Sequence, residues 1–208
     1  MRVRIKVCGM TRQEDASAAA RLGVDAIGLV FHAASPRHVT PDEAGRLVAG
    51  LPAFVTVTAL FLDPSRDEVQ NLLGKLRIDL LQFHGTEPSE FCRSFGRPYI
   101  KAVPMGSRVD LADFAERYAD AAGLLLDSHA AGLRGGTGLS FDWASVPEIH
   151  GPPLIIAGGL KPENVGVMIR KLRPYGVDVA SGVESAPGVK DLEKLTAFVR
   201  EVNNVASA

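Results

Sequence analysis

Four side chains able to move protons or grip anions stand at or just beyond the ends of short apolar runs. Cys8 closes V-R-I-K-V-C ahead of Gly9, and Asp127 closes G-L-L-L-D. His84 and Gly85 follow L-L-Q-F, and Arg37 sits in S-P-R a few residues after G-L-V-F. A thiol can serve as nucleophile or base, and carboxyl and imidazole groups can give or take protons. Arg37, beside the rigid Pro36, offers a guanidinium fork that suits a carboxylate. Each of these residues also has an ordinary structural use. An isolated cysteine is more often a small core hydrophobe, as expected for Cys92 within the helical E-F-C-R. An aspartate after a strand often only opens a loop, a histidine beside glycine can be structural, and a loop arginine is usually solvated.

Three glycine-containing turns add an anion-binding signal. They are Gly135-Gly136-Thr137-Gly138, Ala157-Gly158-Gly159-Leu160 and Ala180-Ser181-Gly182-Val183-Glu184. Glycine lets backbone N–H groups approach an anion, and a following helix N-terminus adds favourable charge. One such turn is weak, since paired glycines usually mark only a bend. Three in order, after consecutive strands, point to a phosphorylated small molecule.

The elements that must carry these residues alternate along the whole chain. Strands are expected at Val3–Cys8, Asp25–Phe31, Phe54–Leu62, Asp79–Phe83, Tyr99–Val103, Gly123–Asp127, Leu154–Ala157 and Val177–Ala180. Helices are expected at Gln13–Leu22, Pro41–Gly50, Ser65–Arg77, Leu111–Ala119, Pro162–Leu172 and Asp191–Asn203. Thr11, Thr40-Pro41 and Lys161-Pro162-Glu163 read as helix starts, and Gly23 and Gly50 as stops. Eight strands recurring every ~20–30 residues and separated by helices or short substitutes imply an all-parallel sheet, most simply a (β/α)₈ TIM barrel over residues 1–208. A doubly wound open sheet is the alternative, but the G-x-G-x-x-G turn expected after its first strand is missing. Barrel enzymes work at the C-terminal ends of their strands, which is where the candidate residues fall. Period-two alternation puts Val3, Ile5 and Val7 on the outer, helix-facing side and turns Lys6 and Cys8 inward.

Composition narrows the function classes. A formal net charge of −1 provides no global attraction for nucleic acid or an anionic membrane, so an anionic ligand must be held locally. The charged start M-R-V-R-I-K makes a poor signal peptide, and no stretch approaches the ~18 apolar residues of a membrane span. Two cysteines without metal spacing suggest free thiols in a reducing, cytoplasmic setting, and no metal-ligand cluster is visible. Either a monomer or a homodimer is compatible with the sequence.

Together the motifs resemble the phosphoribosylanthranilate isomerases, aminoaldose isomerases of tryptophan biosynthesis. The resemblance runs from I-K-V-C-G-M-T at 5–11 through S-P-R at 35–37, L-Q-F-H-G-T-E at 81–87 and L-L-L-D at 124–127. It continues through G-G-T-G-L-S-F-D-W at 135–143 and A-G-G-L-K-P-E-N-V at 157–165 to V-D-V-A-S-G-V-E at 177–184. It implies a TIM barrel and an Amadori rearrangement without metal or redox cofactor. By resemblance Cys8 is the general base, Asp127 the general acid, and Arg37 the holder of the anthranilate carboxylate. His84 lies at the same mouth, and the loops carrying Gly136, Gly138, Gly158, Gly159, Ser181 and Gly182 would bind phosphate. Leu139 stands where the family often has lysine, and Ala180 where serine is common; Asp178 fits the pattern without an assignable role. The implied roles need a protonated carboxyl and an ionised thiol in one site, with Lys6 as the nearest candidate to favour the thiolate. A related histidine-pathway isomerase would carry Asp at the end of the first strand, and a non-catalytic ligand sensor would need no acid and base.

Overall fold

The computed structural model describes residues 2–107, 109–128, 143, 146–147 and 149–206. Eight parallel strands close into a barrel in chain order. They are β1 (Arg4–Cys8), β2 (Ala26–Val30), β3 (Thr56–Phe61), β4 (Leu80–Phe83), β5 (Tyr99–Pro104), β6 (Gly123–Asp127), β7 (Leu154–Ile156) and β8 (Gly176–Val179). Closure comes from β1 pairing with β8, in a register that sets Lys6 opposite Asp178. Among the described residues, the helices α1 (Gln13–Arg21), α2 (Pro41–Ala49), α3 (Arg66–Lys75), α4 (Ser89–Arg93) and α5 (Leu111–Arg117) fill the first five intervals, α6 (Pro162–Leu172) lies between β7 and β8, and α7 (Leu192–Ala206) comes at the end. A short antiparallel pair, β9 (Glu184–Ala186) and β10 (Val189–Lys190), follows a 3₁₀ turn at Ser181–Val183.

Alternation along each strand divides the apolar residues into two cores. Val3, Ile5, Val7, Leu29, Val57, Phe83 and Leu126 face the helices and belong to one continuous annular core. Within the barrel a smaller cluster forms from Ile100, Ala102, Leu125 and Ala157, with Leu80 and Ile155 against it. That apolar plug comes from β4 to β7. Across from it, β8, β1, β3 and β4 bury Asp178, Lys6, Thr58 and Gln82. The interior is therefore polar on the side that leads to Cys8.

Several boundaries move by a residue or two, for identifiable reasons. Asp25 and Asp79, expected as strand residues, lie just before their strands and accept from Ile5 N and Val57 N, each at 2.9 Å. Phe54 stands outside β3 and is 99% exposed. Ser65 is the N-cap of α3 rather than its first residue, in a reciprocal capping box with Glu68. Thr40 caps α2 in the same way with Glu43. Thr11, expected to start α1, does not cap it; Arg12 holds that position, and Thr11 Oγ1 donates to Gly188 O at 2.6 Å. The β9–β10 pair was not expected at all. Among the described residues no helix is long and apolar enough to cross a membrane.

Candidate active site

Cys8, Arg37, His84 and Asp127 come together at the C-terminal mouth of the barrel. They line one cavity of about 110 Å³, with Gln82 and Asp178 below them. Cys8 and Asp127 are each 6% exposed and His84 8%, so all three are dry without being sealed. Gly28 on β2 makes room for the thiol. A Cβ there would lie 2.6 Å from Cys8 Sγ, so a side chain at this position would displace the sulfur.

The charges beneath Cys8 oppose one another. Lys6 Nζ donates to Asp178 Oδ1 at 2.8 Å in a buried pair. Burial disfavours the Lys6 charge, but Asp178 and the thiol keep it above its ordinary value. Burial likewise pushes the Cys8 thiol up; Lys6 and Lys190 pull it down, and Asp178 pushes it up again. The net direction is upward, so Lys6 acts in the expected sense without overcoming burial. Cys92 has no place at the mouth. It is fully buried in the annular core, and burial pushes its thiol up to about 12.

His84 Nε2 lies 3.4 Å from Asp127 Oδ2, and its Nδ1 is 3.2 Å from Gln82 Nε2. If the amide donates to Nδ1, the imidazole presents Nε2–H toward the carboxyl group. The loop after His84 is fixed from below by a buried ion pair. Lys101 Nζ donates to Glu87 Oε2 at 2.8 Å and to Gly85 O at 2.6 Å. Glu87 in turn accepts from Asp63 N at 2.8 Å and Gly85 N at 3.0 Å, and its own carbonyl accepts from Tyr118 Oη at 2.8 Å. Lys101 points outward from β5 and is 1% exposed, so its role is to hold this loop rather than to touch a ligand. Lys101→Met would strand the Glu87 carboxylate in the core. We expect a loss of about 3 kcal/mol or more in urea unfolding, part of which Lys101→Met/Glu87→Gln should restore. A loss below about 1 kcal/mol would mean that the pair is dispensable.

Arg37 is held by a partner that the sequence did not reveal. Its Nε and Nη2 donate to Glu184 Oε1 and Oε2 at 2.9 and 2.7 Å. Lys190 Nζ donates to Glu184 Oε1 at 2.7 Å and to Cys8 O at 2.7 Å. Burial acts against the Glu184 charge, yet Arg37 and Lys190 hold its carboxyl below the usual range.

The two described glycine turns form one surface. Gly158 and Gly159 have φ of +75° and +67°, a region open to glycine, and lead into α6. A Cβ on Gly158 would meet Ser128 N at 2.6 Å, and one on Gly182 would meet Leu160 O at 1.8 Å. The ends of β6, β7 and the segment after β8 therefore touch backbone to backbone, with Ser181 beside the contact. Ala180 lines the cavity. Gly136, Gly138 and Leu139 lie outside the described residues. Among the described residues no group of three or more His, Cys, Asp or Glu side chains could hold a metal ion.

Sequence reasoning missed Glu184, Lys190 and Gln82 as site residues and left Asp178 without a role. Strand alternation carried a signal for Gln82, which shares a face with His84, whereas Asp178 meets Lys6 only through the register of β8 against β1. For Glu184 and Lys190 the segment E-S-A-P-G-V-K reads only as a turn.

Comparison with known proteins gives the family. Residues 5–201 match the family model for N-(5'phosphoribosyl)anthranilate (PRA) isomerase. An N-(5'-phosphoribosyl)anthranilate isomerase from Nitrosococcus oceani is 51% identical over 99% of this chain and the whole of its own length. The crystal structure of phosphoribosyl anthranilate isomerase from Thermotoga maritima is 34% identical with a TM-score of 0.88, covering 97% of this chain and 99% of its own. A further phosphoribosyl anthranilate isomerase, solved in complex with reduced 1-(o-carboxyphenylamino)-1-deoxyribulose 5-phosphate, is 32% identical with a TM-score of 0.82 over 97% of this chain and 99% of its own. A family match across nearly the whole chain, with relatives that share half its residues and solved structures that share its barrel, places this chain in the N-(5'-phosphoribosyl)anthranilate isomerase family.

Proposed function

We propose that the chain converts N-(5-phosphoribosyl)anthranilate to 1-(2-carboxyphenylamino)-1-deoxyribulose 5-phosphate, with Asp127 as general acid and Cys8 as general base. The convergence of Cys8, Asp127 and Arg37 on one cavity carries the reading. A related structure with the reduced product analogue bound supports the substrate class.

The rearrangement needs only proton transfers. Asp127 gives a proton to the ribose ring oxygen, the C1–O bond breaks, and the nitrogen lone pair forms an iminium at C1. The positive charge acidifies the C2 hydrogen, which the Cys8 thiolate removes to leave an enolamine. A proton then moves from the C2 hydroxyl to C1, giving the ketone, and the proton that Cys8 took passes through solvent to Asp127, which restores both groups. Substrate and product are isomers, so no proton is gained or lost overall. The loops of Gly158–Gly159 and Ser181–Gly182, after β7 and β8, suit the phosphate, while Arg37, after β2, suits the ring carboxylate. The decisive test is consumption of phosphoribosylanthranilate made in situ. Failure to consume it would leave a binding protein in place of an enzyme.

Arg37→Ala removes a charge-assisted pair of ~1.5–3 kcal/mol, so affinity for carboxylated ligands should fall about tenfold or more. Titration calorimetry should show inorganic phosphate binding unchanged. Equal weakening of both ligands would move Arg37 out of carboxylate recognition.

A further inference from the structure

We infer that Glu184 is a positioning residue, which turns Arg37 so that one fixed edge of its guanidinium receives the substrate carboxylate. The inference rests on the reading of Arg37 as the carboxylate site. A guanidinium has five N–H donors in one plane. Glu184 takes the Nε–H and one Nη2–H side-on, at 2.9 and 2.7 Å. Among the described residues no hydrogen-bond partner takes the edge formed by Nη1 and the second Nη2–H, and Arg37 lines the cavity while Glu184 does not. The ring carboxylate is thus received end-on. Glu184 is itself immobile, being 8% exposed and bonded to Lys190.

Lys190 extends the same argument to the reacting carbon. Its ammonium, 6% exposed, bridges Glu184 to the carbonyl of Cys8 at 2.7 Å and reaches Ala180 O at 3.4 Å. Lys190 N also donates to Asp15 Oδ2 at 2.9 Å, which ties β10 to α1. One chain of contacts therefore runs from the Cys8 backbone through Lys190 and Glu184 to Arg37. It fixes how far the carboxylate anchor stands from the thiol. Displacing a bound substrate by about 1 Å can cost ~10²-fold in rate, so this spacing belongs to recognition and not only to stability. The β9–β10 pair exists to deliver these two residues to the rim.

The test uses the reduced product analogue and its counterpart lacking the ring carboxylate, titrated into wild type, Glu184→Gln, Arg37→Ala and the double variant. Gln keeps the size of Glu but turns an amide N–H₂ toward a guanidinium donor. Glu184→Gln should lower the preference for the carboxylated ligand about tenfold and leave the other ligand unaffected. The double variant should lose no more preference than Arg37→Ala alone. A Glu184→Gln protein with wild-type preference would overturn the inference while Arg37→Ala still upheld the carboxylate site. Wild-type preference in Arg37→Ala would instead remove that site, and the inference with it. Should Glu184→Gln fail to fold because Lys190 is stranded, Glu184→Gln/Lys190→Met removes the stranded charge. Glu184→Asp, which keeps the charge but withdraws it by one methylene, should show an intermediate loss.

Discussion

Replacing Asp127 by Asn should slow turnover by ~10²–10⁴-fold, the usual contribution of a general acid, with product binding held within a few-fold. The amide keeps the shape of the carboxyl group and can still meet His84 across the present 3.4 Å. It cannot donate a proton of comparable acidity to the ring oxygen, so ring opening should become limiting. Stability should change little, because Asp127 sits at the cavity rim of β6 and carries no part of the annular core. Urea unfolding, product titration and steady-state rates on the same preparation separate these effects. A variant that binds product normally and turns over within a few-fold of wild type would exclude Asp127 as the acid. His84, the other titratable group on that side of the mouth, would then be the residue to replace.

Legibility differed sharply between the barrel and the rim. Strand order and facing could be read because period-two alternation is a local property of each segment. Lys6 and Cys8 turn inward while Ile5 and Val7 turn outward, as alternation requires. Residues at strand ends were legible for the same reason, since the fold carries all C-terminal ends to one mouth. Partners brought together from distant parts of the chain were not. The Lys6–Asp178 contact spans 172 positions, and only the closure of β1 on β8 brings the two together. The same applies to Arg37 and Glu184, 147 positions apart. The start of α2 was legible at Thr40-Pro41, where Thr40 is the N-cap, and that of α3 was legible to within one residue at Ser65. Thr11 misled because its hydroxyl meets a carbonyl of the distant β9–β10 turn instead of its own helix. Electrostatic balance was the least legible feature. A lysine two residues from a thiol suggests a stabilised thiolate, but burial outweighs it once the thiol is enclosed by the barrel.

That balance bears on the second large effect. Cys8→Ala should fold with stability within about 1 kcal/mol of wild type and lose at least ~10²–10⁴-fold in turnover. Alanine removes the sulfur and introduces nothing that Gly28 must accommodate. Cys8→Ser should be almost as inactive, since a hydroxyl ionises far less readily than a thiol and loses its value as a base. The upward push on the Cys8 thiol does not conflict with its role. The site works with one proton shared between the thiol and the carboxyl group, as neutral thiol with carboxylate or as thiolate with carboxylic acid. The working form, thiolate with carboxylic acid, carries the same total charge, differing only in which group holds the proton. Its share is therefore constant between the two macroscopic pKa values of the pair. The rate should accordingly show a broad plateau around neutral pH, falling in acid as the pair gains a proton and in alkali as it loses one. The alkaline fall should coincide with the thiolate absorbance that appears in wild type and is missing from Cys8→Ala. Since the folded thiol is raised, that absorbance should appear above the pH of an ordinary cysteine. A near-native rate in Cys8→Ala would remove the thiol from the mechanism, and a thiolate appearing below the ordinary range would show that Lys6 and Lys190 outweigh burial after all.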